Sequence, residues 1–350
     1  MCRAALLVGL LLLSGCAVGE RPTLTNDGAA AENNEGSASG IGDFDGATVR
    51  GDGAVSAEAS TKPAPTTERD SLLPELAALG DAPRVLISPT GLLVPVLART
   101  GTGYRVLTPC GNEAELVFGQ PVWAAEVVLD PGHGGDEKGA LGPSGATEAE
   151  LNLDIARRTA GLLERQGITV ALTRTGDYRI PVRNRAAIAD QLGAAAFVSI
   201  HHNSPTPDPS DGPGTEVFVK AATPESSRLG GLIYEELVNA LGVFDVTWAS
   251  RPDAGVLTVL NDAGENAYGI TRYPTTPVAL AELAYISNPA EAVVLSTSEY
   301  RQTAAEALTE AIVRFLDTAE PGSGFVDKPR LFNPSAETGG TDGCIDPPLT

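Results

Sequence analysis

VVLDPGHGG, residues 127–135, is the stretch that decides how this chain reads. An apolar run stops at Asp130, and a proline and three glycines then break the chain around His133. A buried strand ends in an open loop in this way. FVSIHHN, residues 197–203, repeats the pattern with His201, His202 and Asn203 at its end. The chain has three histidines, and all of them sit just past these two apolar runs. In open α/β sheets the carboxyl ends of the strands carry the site. Placing every imidazole there points to a metal ion.

Outward from this stretch, residues 124–317 alternate strand and helix patterns, which argues for an α/β fold. Strands are expected over 124–129, 168–173, 195–200, 214–219 and 277–284, and helices over 148–166, 181–192, 224–241 and 298–317. Thr147 and Glu150 frame the first helix as a capping box. Leu151, Ile155, Leu162, Leu163 and Gln166 fall near one of its faces. Residues 243–276, with Trp248, Tyr268 and Tyr273, are rich in Gly, Asp and Asn and have no clear period. Residues 83–121 alternate short apolar runs with turns and predict a small antiparallel unit of three or four strands. After 320 the chain is polar and loop-like.

The net charge of −21 argues against a nucleic-acid partner and against a polybasic membrane contact. Arg3 precedes a short apolar run that ends in Leu13–Ser14–Gly15–Cys16. This resembles a bacterial lipoprotein lipobox, with an ordinary secretory signal as the other reading. The resemblance implies cleavage before Cys16, lipidation of its thiol and an extracytoplasmic chain anchored to the cell membrane, facing the wall. In that exported setting Cys110 and Cys344 are the cysteines left over, and they are expected to pair. The expected order is a signal peptide over 1–15, an acidic flexible tether over 16–77 and a β-rich unit over 78–122. A catalytic domain over 123–320 and a C-terminal tail over 321–350 follow. The tether reading rests on composition: it has too little apolar surface to offset ordering.

A catalytic zinc takes three protein ligands and leaves one position open. His133 and His201 are the natural nitrogen donors. Glu148, at the first helical position after the His133 loop, can face both, while Glu150 is engaged in the capping box. An acid in the first turn facing the helix dipole is the competing reading of Glu148. Glu282 lies in an apolar run, where a carboxylate is costly unless paired or functional. Burial would raise its pKa and suit it to proton transfer. An ion pair with Arg183 or Arg185 is the alternative. Strand alternation should turn His202 away from His201, so His202 is read as a non-ligand.

Six stretches together resemble the zinc-dependent N-acetylmuramoyl-L-alanine amidases of the cell-wall amidase type 3 family. They are VVLDPGHGG (127–135), GATEAELNL (145–153), TRTGDYRIPVRNRAAIAD (173–190), FVSIHHN (197–203), GTEVFV (214–219) and ALAELAYISNPAEA (279–292). The resemblance implies a three-layer, mostly parallel sheet of about six strands with helices on both faces. It implies Zn2+ held by His133, Glu148 and His201, with Glu282 as catalytic acid/base. The implied substrate is peptidoglycan, cut between the lactyl group of N-acetylmuramic acid and L-alanine of the stem peptide. His202 stands where the family usually has a small residue, and a contact to substrate or to a ligand is open to it. Asn203 is expected to orient the loop. Arg185 matches a recurrent family arginine and is expected to form an ion pair. The longer 243–276 segment departs from the family and is expected to border the substrate groove or to act as a lid. A monomer is expected. The alternative is a non-catalytic wall-binding or regulatory module on the same fold.

Overall fold

A computed structural model of the chain describes residues 80–334 and 339–350. The expected signal peptide, Cys16 and the tether over 16–77 lie outside the described residues. Among the described residues no helix is long and apolar enough to cross a membrane.

The β-rich unit has five strands, one or two more than expected: β1 (Val85–Ile87), β2 (Leu93–Arg99), β3 (Tyr104–Leu107), β4 (Glu113–Leu116) and β5 (Gln120–Val122). They run antiparallel in the order β4-β3-β2-β1-β5. The extra strand, Gln120–Val122, contains a proline and sits on the sheet edge, the place where a strand tolerates proline. Val85 and Leu93 of this unit pack with Ile188 and Phe197 of the following α/β part, so a unit of this size borrows its neighbour's core.

The α/β part begins with β6 (Val127–Pro131), α1 (Glu148–Arg165), β7 (Val170–Leu172), α2 (Val182–Leu192), β8 (Ala196–Asn203), the two-residue β9 (Pro209–Ser210) and β10 (Glu216–Val219). It continues through α3 (Pro224–Leu241), β11 (Trp248–Ala249), β12 (Val256–Leu257), β13 (Val259–Leu260), α4 (Gly269–Arg272) and β14 (Val278–Tyr285). It closes with α5 (Pro289–Leu295), α6 (Ser298–Asp317) and β15 (Arg330–Leu331). The main sheet has six strands in the order β12-β10-β14-β8-β6-β7, and only the β10–β14 pair is antiparallel.

Period-two alternation sorts the strand residues between two cores. Val127, Leu129, Val198, Ile200, Ala279 and Ala281 face the layer of α1, α3 and α6. Val128, Phe197, Phe218, Val278 and Leu280 face α2, α4 and the β-rich unit. Even-numbered β6 and β14 residues and odd-numbered β8 residues therefore share one face with α2.

Three local readings change. Gln166 is exposed, because α1 ends at Arg165 and Gln166 is its C-cap. Trp248 is 1% exposed and belongs to the core, so it is no part of a groove wall. Residues 256–257 supply the edge strand of the main sheet, so the long segment is partly structural. Beyond 320 the chain is more ordered than its polarity suggests: β15 pairs with β13, and Gly339 accepts a hydrogen bond from Val182 N–H at 3.2 Å.

Cys110 and Cys344 form a disulfide across a sequence separation of 234. Asp346 reinforces it, accepting hydrogen bonds from Cys110 N–H at 2.7 Å, Thr108 Oγ1 at 2.8 Å and Asn112 Nδ2 at 2.8 Å. Non-reducing peptide mapping should recover the linked peptides. Cys344→Ser should lower unfolding stability by about 2–4 kcal/mol, measured by urea denaturation.

Candidate metal centre

His133 sits on the first turn beyond β6 in a left-handed conformation, φ 61°, followed by Gly134 at 129° and Gly135 at 65°. Such a backbone is rare for a residue with a side chain and costs of order 1–3 kcal/mol unless its surroundings hold it. Two buried arginines do so. Arg174 Nε donates to the Pro131 carbonyl at 2.9 Å and its Nη2 to the Gly132 carbonyl at 2.9 Å. Arg185 donates to the Pro131 and His133 carbonyls, both at 2.8 Å. Arg185 also pairs with buried Asp130 at 2.8 Å, as an ion-pair role required. Burial alone would raise the Asp130 pKa. The Arg185 charge and hydrogen bonds from Thr173, Ser199 and Arg185 outweigh it and leave the pKa below its ordinary value. Gly132 is needed for space, because a Cβ there would overlap the His201 ring.

Glu148 is the first residue of α1, and the capping box is present: Thr147 accepts from Glu150 N–H at 3.2 Å, and Glu150 accepts from Thr147 N–H at 3.5 Å. That leaves the Glu148 carboxylate to face the sheet edge. Its Oε2 is 3.2 Å from His133 Nε2, and its Oε1 is 2.9 Å from His201 Nδ1. It accepts from Ala140 N–H at 2.8 Å and His202 N–H at 3.1 Å, and no lysine or arginine pairs with it among the described residues. One ligand atom from each of His133, Glu148 and His201 falls within 4.8 Å of the others. Burial would raise the Glu148 pKa, but the two imidazoles hold it well below the carboxylate range. Burial, opposed by the Glu148 hydrogen bond and charge, lowers the His201 pKa, a direction that favours the neutral ring a metal ligand needs. Two imidazoles and one carboxylate fit a divalent transition-metal ion.

His202 points to the opposite face of the sheet. Its Nδ1 lies 2.8 Å from Asn152 Oδ1 and its Nε2 lies 3.1 Å from the Tyr300 hydroxyl. Burial pushes its pKa down to about 3, so it is a neutral core histidine. Asn203 Nδ2 donates to Glu216, and its Oδ1 accepts from Ser204 N–H at 2.8 Å, which orients the strand end.

Glu282 is the register partner of His201 across β14 and β8, and of Glu216 across β14 and β10. Two carboxylates and an imidazole thus form one row over three strands, on the α2 side. Neither Arg183 nor Arg185 pairs with Glu282. Its Oε2 is shut off from solvent and has no hydrogen-bond partner among the described residues. Burial first, then the Glu148 and Glu216 charges, pushes its carboxyl well above the usual range. Glu216 had no role in the sequence reading. It is fully buried and meets Arg330 of the tail and Asn203. An acid opening an apolar strand, GTEVFV, was the one signal available.

His133, His201 and Glu282 open on a single cavity of about 1010 Å³. Tyr268 and Tyr273 of the 243–276 segment line it, and so do Pro334 and Gly340 of the tail.

The family model for N-acetylmuramoyl-L-alanine amidases matches residues 127–314. The Bacillus subtilis (strain 168) protein YqiI is 32% identical over 213 residues, covering 60% of this chain and 92% of that protein. The amidase AmiA of Escherichia coli (strain K12) is 30% identical over 217 residues, covering 54% of this chain and 75% of AmiA. AmiC of Neisseria meningitidis serogroup B is 31% identical over 220 residues, and the chain spans 53% of its length. A solved amidase from Clostridium difficile 630 is 28% identical, with a TM-score of 0.48 over 56% of this chain and 99% of that one.

Gly132→Ala should displace the His201 ring and lower metal affinity about 10- to 100-fold, measured by competition with a chromophoric chelator. Asp130→Asn leaves Arg185 buried without its counter-charge and should cost about 3–5 kcal/mol in denaturant unfolding. Because the folded Asp130 pKa is depressed, its contribution is complete above the unfolded value of 3.8 and fades as pH falls through the folded one. The variant should therefore lose less stability than the parent as pH is lowered from 3.8 through the folded Asp130 pKa.

Proposed function

This chain belongs to the N-acetylmuramoyl-L-alanine amidase family and is an amidase; from that premise we propose a zinc-dependent hydrolase of peptidoglycan. It cleaves the amide between the lactyl group of N-acetylmuramic acid and L-alanine of the stem peptide. It acts outside the cytoplasm, tethered to the membrane by lipid on Cys16, with residues 123–320 as its catalytic domain. The observation that carries the reading is the Glu148 carboxylate bridging His133 and His201, with Glu282 in register beside His201.

His133, Glu148 and His201 would hold the zinc. When bound, zinc supplies Lewis acidity, polarising the scissile carbonyl and making water a better nucleophile at neutral pH. The chain's own work is positioning and proton transfer. Arg174 and Arg185 fix the loop that aims His133. Ala140 N–H, Asn152 and His202 N–H hold the Glu148 carboxylate in place. Glu282, whose side chain lines the cavity beside His201, takes a proton from the attacking water on its carboxylate and returns it to the departing amine of L-alanine. Two steps thus use one carboxyl, and a raised proton affinity suits a group that must both gain and give up a proton near neutrality.

Glu282→Gln should keep stoichiometric zinc and lose turnover by about 10²- to 10⁴-fold, whereas His133→Ala should lose both metal and turnover. Amine release from soluble muropeptides, run beside metal analysis, checks this. Full activity in Glu282→Gln would remove the acid/base assignment. Zinc without muropeptide cleavage would point to another amide substrate, and neither zinc nor cleavage to a wall-binding module.

A further inference from the structure

The reaction uses one corner of the cavity, and the rest of its wall has chemistry of its own. Four of its cations differ in their engagement. Lys138 is held by Asp177 at 2.6 Å and Arg185 by Asp130 at 2.8 Å. Arg183 is exposed and has no acidic partner among the described residues; its guanidinium carbon lies 4.1 Å from the centre of the Tyr273 ring. Arg272 approaches the same ring at 5.6 Å. Its Nη2 donates to the Ala267 carbonyl at 2.8 Å, Glu265 is 3.7 Å away, and its buried Nε has no partner among the described residues. Both arginines and Tyr273 line the cavity that holds His133, His201 and Glu282.

We infer that Arg183 and Arg272, braced on Tyr273, form a carboxylate-binding subsite that recognises an acidic residue of the peptide on the amine side of the scissile bond. Arg272 is paired only with the exposed Glu265 carboxylate at 3.7 Å, and Arg183 with no acid among the described residues, so the two guanidiniums at one ring can take a further anion between them. The ring face holds each planar guanidinium by cation–π attraction, so less freedom is lost when a carboxylate docks. A guanidinium matches the two oxygens of a carboxylate in a way a neutral sugar does not. The protein carries a net charge of −21, so an anionic peptide gains from a local basic patch against an overall repulsive charge. The volume of about 1010 Å³ leaves room for several residues beyond the reacting amide. Arg272 and Tyr273 come from the 243–276 segment and Arg183 from the start of α2, so two elements meet at the subsite.

The inference rests on the peptidoglycan reading, and its test separates the two. Steady-state kinetics would compare two soluble muropeptides of one sequence, one with free side-chain and α-carboxylates and one fully amidated. The full-length zinc-loaded enzyme should prefer the free acid by about 10- to 100-fold in kcat/KM, expressed mainly in KM. In Arg183→Gln/Arg272→Gln this ratio should collapse towards one, and Arg183→Lys/Arg272→Lys should restore part of it. A parent ratio near one, or a ratio kept by the double glutamine variant, overturns the subsite. If the parent cleaves neither muropeptide, the amidase reading fails, and calorimetric binding of the two peptides still decides the subsite. Selective binding of the acid that the double variant loses supports it; equal binding overturns it.

Discussion

Three consecutive carbonyls, those of Pro131, Gly132 and His133, are each fixed by a buried guanidinium, and the reactive corner depends on that arrangement. Without it the left-handed turn at His133 would relax and the imidazole would leave Glu148. The cost is the desolvation of two arginines against one acid, Asp130. It is offset because nearly every donor has an oxygen to meet: Arg174 also reaches the Gly176 and Ala149 carbonyls, and Arg185 the Ile180 carbonyl. Burial and then the Arg185 charge bring the Arg174 pKa down to about 10. A buried ion pair is weak evidence of stability in general, since apolar replacements often do as well. Here its evident product is position, tying the ends of β6, β7 and β8 to the start of α2.

The second constraint is register. Glu216, Glu282 and His201 stand side by side because β10, β14 and β8 pair with these residues opposite one another. A slip of one residue would send all three to the other face of the sheet. The price of the row is two neighbouring carboxylates, and the chain answers with Arg330, brought in from beyond the last helix to neutralise Glu216. Glu282 is left without a cation and with an unpaired oxygen, the condition a proton carrier needs and a structural acid avoids.

Much of this was legible in the sequence where chemistry is rare or periodic. Imidazoles are scarce, so His133 and His201 stood out at the ends of two apolar runs. Strand alternation separated His202 from His201, and the capping box separated Glu150 from Glu148. The unreadable parts have no such mark. A two-residue edge strand, Val256–Leu257, is too short to show a period, and it is identified by its partner β10 alone. Trp248 looked like a groove residue because its surroundings are polar in sequence, yet it is buried against helices distant along the chain. Arg330 lies in a stretch with no pattern, and its meaning depends on an acid 114 residues earlier.

The tail illustrates the general point most sharply. It carries little apolar surface, so it cannot order itself by burial. It is held by directional contacts from elements already fixed, with Val326, Phe332 and Leu349 as its few apolar anchors. Arg179 donates to the Gly340 and Asp342 carbonyls at 2.9 Å and 3.0 Å, and Val182 N–H to Gly339. The same Arg179 pairs with Asp136 and Glu137 on the loop that carries His133. One guanidinium therefore joins the loop that carries His133 to the tail that walls the cavity. The disulfide adds a covalent limit on how far the tail can move from the β-rich unit. The cavity is thus shaped by segments from both ends of the described chain, and its shape is held by polar and covalent ties rather than by a core of its own.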